Sequence, residues 1–367
     1  AFAAKANTMP AVLDLVRKWG MACEVASPGE YKAAVQAGFV GGEIVFDSPA
    51  KTNWEIDAAL TKGATLNIDN FQELARVDAW LAKNKSTSII GLRINPQVGG
   101  GSIAAMSTAT LSSKFGIGLE DGDNRQRVFD AYETRPWLTA LHTHVGSQGC
   151  PLDLIAAGIA KTFNLAREIN QRLGAKQITT LDIGGGLPVN FESEAVTPSF
   201  SDYVAALRKE VPDLFAGEFR IITEFGRSVL AKAGFILARV EYTKEQGGRP
   251  IAITHAGAQV ATRTVFMPDM WKIRVSALDA KARPKSGLKV VQDVAGPCCF
   301  AGDVVAHARP LPLLEPGDFV MLHDTAAYYF STPFVYNSLP AIPVYGISGA
   351  DDALNVTVMQ AGGALTF

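Results

Sequence analysis

Residues capable of covalent and acid–base chemistry recur along the first 227 positions, each at the end of a short apolar run. Lys5 follows AFAA. An amine among apolar groups loses its proton more easily and can form a Schiff base, although a lysine at a strand end more often reaches solvent. Glu224 and Arg227, in TEFGR, form either a plain ion pair or a pair of ligand contacts. Similar positions are held by Glu24, Ser27, Asp47, Asp69, Arg93, Asn95, His142, His144 and Ser147.

Three consecutive glycines, Gly184, Gly185 and Gly186, follow the apolar run LDI. Glycines let backbone N–H groups approach an anion closely, which suits a phosphate, although a plain strand-to-loop turn has the same sequence. Arg227 and Ser147 could add phosphate contacts. The sequence has no GxxxxGK[ST] signature, so a phosphate-bearing cofactor fits better than a nucleoside triphosphate.

Eight short apolar runs alternate with amphipathic segments before position 227, which predicts a (β/α)8 barrel with its functional groups at the carboxyl ends of the strands. A doubly wound open sheet is the alternative. The predicted strands are Ala1–Ala4, Met21–Val25, Glu43–Asp47, Thr65–Asp69, Ser88–Ile94, Leu138–Val145, Thr180–Ile183 and Phe219–Glu224. The predicted helices are Pro10–Trp19, Pro28–Ala37, Asn53–Thr61, Asn70–Leu81, Asp123–Glu133, Leu152–Leu173 and Ser201–Val211.

After Arg227, short β-like runs are separated by turn signals such as GGRP and EPGD. This pattern predicts a second, all-β domain of sandwich or barrel type. We place the barrel domain at 1–232 and the β-domain at 233–367. The predicted strands of the second domain are Ala233–Tyr242, Ile251–His255, Trp271–Val275, Leu288–Val294, Asp318–Leu322 and Leu354–Met359.

Composition excludes several classes of protein. The chain has 367 residues, of which 48% are hydrophobic and 19% charged, which is too apolar for disorder. The net charge of -2 lacks the basic footprint of a nucleic-acid binder. No apolar run approaches the roughly 18 residues of a membrane span. Four cysteines without CxxC spacing predict neither a disulfide framework nor a metal site, and favour the reducing cytoplasm.

The ordered motifs resemble those of the fold-type III pyridoxal-phosphate decarboxylases, the diaminopimelate and ornithine decarboxylase group, which share a barrel and a β-domain with alanine racemase. The resemblance extends from the first residues to about Asn337. The motifs are FAAKAN, CEVASPGE, SKFGI, HTHVGSQ, DIGGG, TEFGR, TRTVF, GPCCFAGD and DTAAYYFS.

This resemblance implies that pyridoxal 5'-phosphate forms a Schiff base with Lys5, that His144 stacks on the cofactor ring and that Glu224 faces the pyridine nitrogen. It further implies Cys299 as the catalytic thiol with Asp303 as its companion. The residues implied at the phosphate are Ser147, Gly184, Gly185, Gly186, Gly226, Arg227 and Tyr328. The residues implied at the substrate are Arg93, Arg263, Phe300 and Asp303.

The sequence departs from the family where Phe300 follows the catalytic cysteine, because diaminopimelate decarboxylases have Glu there and ornithine decarboxylases have Asp. That acid recognises the distal amine of the substrate, and an aromatic ring cannot replace it as an ionic partner. We therefore expect a larger, acidic or conjugated amino acid, as in the siderophore-pathway decarboxylases. Phe225 also replaces the proline of Glu-Pro-Gly-Arg, and Ala326-Ala327 conservatively replaces Gly-Ala.

The predicted activity is release of CO2 from an amino acid or an amino-acid conjugate, with Cys299 donating a proton to Cα. One alternative is an amino-acid racemase, which Glu224 disfavours because alanine-type racemases have Arg at the pyridine nitrogen. Another is a catalytically silent homologue, which the retained Lys5 and Cys299 disfavour. The resemblance also implies a homodimer that shares active sites across its interface, and an N-terminal segment ahead of Ala1.

Overall fold

The computed structural model describes residues 1–349 and 353–363, so the predicted second domain includes positions outside the described part. The chain divides into two compact units, Ala1–Ala231 and Lys232–Phe367. Within the described residues, no helix is both long and apolar enough to cross a membrane.

The first unit is built on one parallel sheet whose strands follow one another in chain order. A parallel bridge between Phe2 and Phe225 joins the segment after the last strand to the first strand, which closes the ring and confirms the predicted barrel. The observed strands are shorter than predicted, and a short strand that was not predicted, Ile117–Gly118, pairs with Ile90–Asn95. The strands are β1 Phe2–Ala3, β2 Cys23–Val25, β3 Ile44–Asp47, β4 Thr65–Ile68, β5 Ile90–Asn95, β6 Ile117–Gly118, β7 Leu138–His142, β8 Thr180–Asp182 and β9 Arg220–Ile222.

Helices between the strands begin and end at residues that satisfy their terminal backbone groups. Thr52 and Glu55 form a reciprocal capping box at the start of α3, and Gly63, with φ of 72°, ends that helix in the left-handed region. Ser199 and Asp202 cap α7 in the same way. The helices are α1 Pro10–Lys18, α2 Pro28–Gln36, α3 Asn53–Lys62, α4 Phe71–Leu81, α5 Asn124–Thr134, α6 Leu152–Leu173, α7 Phe200–Glu210 and α8 Arg227–Leu230.

The second unit contains a six-stranded sheet in the order β12-β15-β10-β11-β13-β14 and a two-stranded hairpin of β16 and β17. One helix, α9 Ala258–Phe266, interrupts the strands. The strands are β10 Ile236–Gln246, β11 Arg249–Thr254, β12 Val275–Leu278, β13 Lys289–Ala295, β14 Val304–Pro312, β15 Phe319–Leu322, β16 Val344–Ser348 and β17 Asn355–Gln360.

Three details of the second unit differ from the sequence prediction. The domain is mostly rather than entirely β, because α9 forms from a segment rich in β-prone residues. The predicted strand Trp271–Val275 is wrong except for Val275, since the Trp271 amide donates to the Met267 carbonyl at 3.0 Å and continues the turn after the helix. Strands β14 and β16 were not predicted.

Candidate active site

Lys5 lies immediately after β1, in the single helical turn Ala4–Ala6. Its Nζ is 2.7 Å from Oε2 of Glu24, which is the middle residue of the neighbouring strand β2 and is fully buried. The Lys5 side chain is 39% exposed. The amine is therefore paired with a carboxylate from the adjacent strand and partly accessible, which agrees with the alternative that a lysine at a strand end reaches solvent.

A buried triad of Asp47, His142 and Glu224 lies at the carboxyl ends of three barrel strands. The His142 Nδ1 atom is 3.7 Å from Asp47 Oδ1, and its Nε2 atom is 3.5 Å from Glu224 Oε2. One atom from each side chain lies within 4.8 Å of the other two. The second oxygen of Asp47 accepts a hydrogen bond from Arg93 at 2.7 Å. The imidazole ring thus spans the gap between two carboxylates.

Charge rather than burial decides the protonation of this triad. Burial alone lowers the pKa of His142, but the carboxylates of Asp47 and Glu224 outweigh it and raise that pKa to about 9. Burial would also keep Asp47 neutral, yet Arg93 and His142 hold its pKa below the ordinary value. His142 has the same effect on Glu224, whose pKa is far below its ordinary value despite burial. At neutral pH the triad is an imidazolium between two carboxylates.

The pKa values of Asp182 and Glu24 are shifted upward, in contrast to those of Asp47 and Glu224. Burial, followed by repulsion from Glu224, raises the pKa of Asp182 well above its ordinary value. Burial raises the pKa of Glu24 to about 8, although Lys5 opposes this. Asp182 and Glu224 are therefore neighbouring buried carboxyl groups whose pKa values are shifted in opposite directions. Asp182 was not predicted as a site residue from the sequence, although its place at the end of β8 was a usable signal.

His144 lies beyond the end of β7 and is held as a neutral ring. Its Nδ1 accepts a hydrogen bond from the Gly185 amide at 3.1 Å, and burial together with the charges of Lys5 and Arg93 lowers its pKa to about 3. The Gly184 amide donates to Asp182 Oδ1 at 3.0 Å. The amides of Gly184 and Gly185 therefore donate to side chains in this structure, and phosphate binding by the glycine loop stays a prediction.

The glycine loop is nevertheless tightly constrained by its neighbours. A Cβ atom on Gly185 would overlap the Glu224 carbonyl, and one on Gly186, with φ of 102°, would overlap the Gly146 carbonyl. Ser147 is partly buried beside this loop, and its amide donates to Met106 at 3.0 Å. Glycine is thus required for close backbone approach between the ends of β7, β8 and β9.

Gly226 and Arg227 follow Glu224 and are buried. A Cβ atom on Gly226 would lie 2.9 Å from the Cβ of Ala6, next to Lys5. Phe225, which replaces the family proline, packs edge-on against Phe200 at 4.9 Å between ring centroids, and its carbonyl accepts the Ala3 amide at 3.0 Å. The substitution therefore keeps the bridge that closes the barrel.

Arg93, predicted to contact substrate, is buried with its guanidinium 4.4 Å from the centroid of the Phe115 ring. The SKFGI motif thus places a ring against the arginine that binds Asp47. These contacts position the buried triad, and a contact between Arg93 and substrate stays a prediction.

In the second unit, Asp303 fixes the turn that carries the two adjacent cysteines. Its carboxylate accepts the amides of Ala258 and Cys298, each at 2.6 Å, and it is buried. Cys298 is buried, whereas Cys299 is exposed. Asp303 thus positions the cysteine turn, and the predicted contact of Asp303 with substrate stays a prediction.

Arg263 lies on α9 between two aromatic rings. Its guanidinium carbon is 4.6 Å from the centroid of Tyr328 and 5.2 Å from that of Trp271. Its Nη1 atom is buried and has no hydrogen-bond partner within residues 1–349 and 353–363. Burial lowers the pKa of Arg263, which marks a guanidinium short of compensating charge.

Phe300 belongs to a group of four rings, which we call the aromatic cluster: Phe266, Phe300, Phe334 and Tyr336. Phe266 and Phe300 stack with 5.6 Å between centroids and 5° between planes, and Phe334 meets Phe266 edge-on at 5.1 Å. Of these four residues, only Phe300 was predicted from the sequence to belong to the site. The other three rings had no recognisable signal, because they come from α9 and a loop far apart in sequence.

The first unit has features that fit pyridoxal phosphate. Glu224 is buried and ionised, and no amide, amine, ring N–H or hydroxyl group of the described residues donates to its Oε1 atom. A protonated pyridine nitrogen is a donor that would satisfy this oxygen. Lys5 is among the charged groups that act on Glu224. The first unit therefore brings together an amine for the cofactor aldehyde and a carboxylate that can accept the pyridinium N–H.

Comparison with known proteins gives the same result. The family model described as "Pyridoxal-dependent decarboxylase, pyridoxal binding domain" matches residues 1–231. The diaminopimelate decarboxylase of Bacteroides thetaiotaomicron is 30% identical over 341 residues, covering 89% of this chain and 82% of the relative. That of Zymomonas mobilis is 30% identical over 358 residues, covering 96% and 82%. The crystal structure of Helicobacter pylori diaminopimelate decarboxylase with L-lysine is 27% identical, with a TM-score of 0.84 over 99% of this chain and 87% of that chain.

Proposed function

Because the chain belongs to the pyridoxal-dependent decarboxylases, in the group of the diaminopimelate and ornithine enzymes, we propose that it removes the α-carboxylate of an amino acid or amino-acid conjugate. It is a diaminopimelate-decarboxylase-like carboxy-lyase that uses pyridoxal 5'-phosphate. The observation that carries the proposed mechanism is the buried Glu224, kept ionised by His142, with one oxygen ready to accept a hydrogen bond.

When bound, pyridoxal phosphate supplies a conjugated ring that accepts the electron pair left at Cα as CO2 departs. Lys5 would hold the cofactor through its amine, and Glu224 would accept the pyridine N–H and so keep that nitrogen protonated. His144 is neutral and partly buried, which suits a ring that stacks on the cofactor. The phosphate would be held by the loops of Ser147, Gly184–Gly186 and Gly226–Arg227, although the Gly184 and Gly185 amides donate to Asp182 and His144 in this structure, and the family resemblance adds Tyr328.

Proton handling would fall to three side chains. Lys5 would take up and release protons with Glu24, whose Oε2 is 2.7 Å away and whose pKa of about 8 lies close to physiological pH. Cys299, which is exposed on a turn held by Asp303, would donate the proton that Cα receives after CO2 leaves. Burial of the Arg263 guanidinium beside two rings suits a contact with a substrate carboxylate.

The distal end of the substrate would not carry a simple amine. Phe300 stands where the family has a carboxylate, and its ring neighbours are other aromatic side chains. A distal ammonium buried there would lose its hydration without gaining an ionic partner. A specialised-pathway substrate therefore fits this site better than a diamine precursor.

We further propose a homodimer in which the second unit of one subunit contributes Cys299 to the site of the other, as the resemblance implies. Mixing a Lys5→Ala protein with a Cys299→Ala protein tests this, because shared sites would restore up to about a quarter of wild-type activity. Inactivity of the mixture after subunit exchange would contradict the shared site. We also propose a cytoplasmic location, which cell fractionation tests.

The proposed activity is tested by loading the protein with pyridoxal phosphate and measuring CO2 release from L- and D-amino acids, diaminopimelate and carboxylated conjugates. Lys5→Ala should lose both turnover and the absorbance of the lysine-bound cofactor, while Lys32→Ala, on the exposed face of α2, should retain both. Exchange of deuterium at Cα without CO2 release would identify a racemase and contradict the proposal.

A further inference from the structure

The aromatic cluster is an exposed apolar surface built around the family's specificity position. Phe266 remains 51% exposed and Tyr336 36%, although their rings contact other rings. Phe300 meets Tyr336 edge-on at 5.8 Å, and Phe334 stacks on Tyr336 at 5.5 Å. Contiguous aromatic surface of this kind marks a binding site more often than a free surface.

Hydrogen bonds connect the cluster and its neighbour Asn337 to the turn of Cys299. The Tyr336 hydroxyl donates to the Cys299 carbonyl at 3.3 Å, and the Cys299 amide donates to Asn337 Oδ1 at 2.7 Å. Phe300 is the next residue along the chain. A group that contacts the Phe300 ring would therefore lie against the residue that follows Cys299 in the chain.

Helix α9, which carries Phe266, also carries the cation Arg263, for which the described part of the chain offers no carboxylate partner. Phe266 lies three residues after Arg263 on α9, a spacing that brings two side chains to one face of a helix. The Arg263 Nη1 atom has no partner among the residues that the structure describes. This second observation is independent of the rings, and it points to a ligand that has a carboxylate as well as a flat apolar group.

The arrangement of the rings favours an uncharged ligand group over an ammonium. An ammonium binds over the open face of an aromatic ring. Here Phe266 and Phe300 cover each other's faces, as do Phe334 and Tyr336, with 22° between their planes. The four side chains carry no negative charge to pair with an ammonium, whereas an uncharged ring can meet them edge-on or by stacking.

We infer that the aromatic cluster binds the side chain of an amino-acid substrate that is planar and uncharged, while Arg263 receives a carboxylate of the same molecule. This inference rests on the proposed decarboxylase function and names its substrate class: aromatic amino acids or amino acids conjugated to an aromatic group. Phe266, Phe334 and Tyr336 thereby become specificity residues together with Phe300.

A binding experiment tests the inference without turnover. Isothermal titration calorimetry gives the affinity of the cofactor-loaded protein for 3-phenylpropionate and for 6-aminohexanoate. The two ligands are both carboxylates, but the first ends in an aromatic ring and the second in an ammonium. We expect 3-phenylpropionate to bind at least tenfold more tightly, and Phe300→Ala to weaken it about tenfold, since one ring contact is worth up to about that factor. Phe235→Ala removes an exposed ring elsewhere in the second unit and should change neither affinity.

Turnover then separates this inference from the function on which it rests. We expect kcat/KM for CO2 release to be highest with an aromatic amino acid, and Phe300→Glu to shift the preference toward lysine or diaminopimelate. Absence of CO2 release from every amino acid would overturn the proposed function. Faster release from diaminopimelate than from any aromatic substrate would overturn the inference alone. A Phe300→Ala protein that becomes monomeric with unchanged ligand preference would show that the cluster is a subunit contact, which also overturns it.

Discussion

Replacement of His142 by glutamine should destabilise the protein in a pH-dependent manner. His142 is fully buried, and its two ring nitrogens face Asp47 and Glu224, with Asp182 also contributing to its field. Glutamine fills similar space but cannot carry the positive charge. The variant would therefore leave two buried carboxylates without the cation between them, which is the costly way to break a buried ion pair.

The structure gives the size and sign of this effect. The pKa of His142 rises from 6.5 to about 9, and this difference corresponds to roughly 3 kcal/mol of stability. Because the folded pKa is higher than the unfolded one, the contribution is fully present below pH 6.5 and is lost as the pH rises through about 9. The free energy of unfolding of His142→Gln should thus be about 3 kcal/mol lower than that of the wild type at acidic pH, and this difference should narrow above pH 9.

Urea unfolding followed by tryptophan emission measures this in the correct part of the chain, because four of the five tryptophans lie in the first unit. His307→Gln, at an exposed position on β14, is the matched control and should behave like the wild type at every pH. An NMR titration of the His142 ring gives its pKa directly. A destabilisation that is the same at all pH values, or a His142 pKa at or below 6.5, would refute the electrostatic reasoning.

Three further predictions follow from single contacts. Cys299→Ala should slow or misdirect protonation at Cα more than it weakens cofactor binding. The deuterium content of the product made in heavy water should therefore change, while the cofactor affinity measured by absorbance titration should not. Parallel losses in both measurements would contradict the role of the thiol. Gly185→Ala should destabilise the barrel by about 1–3 kcal/mol, because its Cβ overlaps the Glu224 carbonyl, whereas Gly29→Ala on α2 should be neutral in the same thermal unfolding assay. Asp303→Asn replaces one of the two carboxylate oxygens that accept buried amides, so it should lower the free energy of unfolding by about 1–3 kcal/mol. It should also change the rate at which the Cys299 thiol reacts with a disulfide reagent. Unchanged stability and reactivity would show that the turn does not depend on the carboxylate.

The sequence alone predicted the elements whose period and caps are local. Apolar runs followed by amphipathic segments gave the eight main strands of the barrel, and two helices begin at the predicted residues, Pro10 and Pro28. It also placed Lys5, His144 and Glu224 near strand ends, because a polar residue after an apolar run marks the point where a buried strand reaches the surface of a barrel. The helix α9 was not predicted, since its β-prone residues are held helical by their surroundings.

Only the tertiary structure decided which of these polar residues meet. His142 and His144 are two residues apart and would face the same side of a continuous strand, but β7 ends at His142, so one ring joins Asp47 and Glu224 while the other accepts the Gly185 amide. Likewise, the pairing of Lys5 with Glu24 depends on the register of β1 and β2. The sequence records the type and spacing of each side chain, which fix its local structure and burial. Charge states and partners arise only when strands from distant parts of the chain are brought within a few ångströms, because electrostatic interactions act through space and not along the chain.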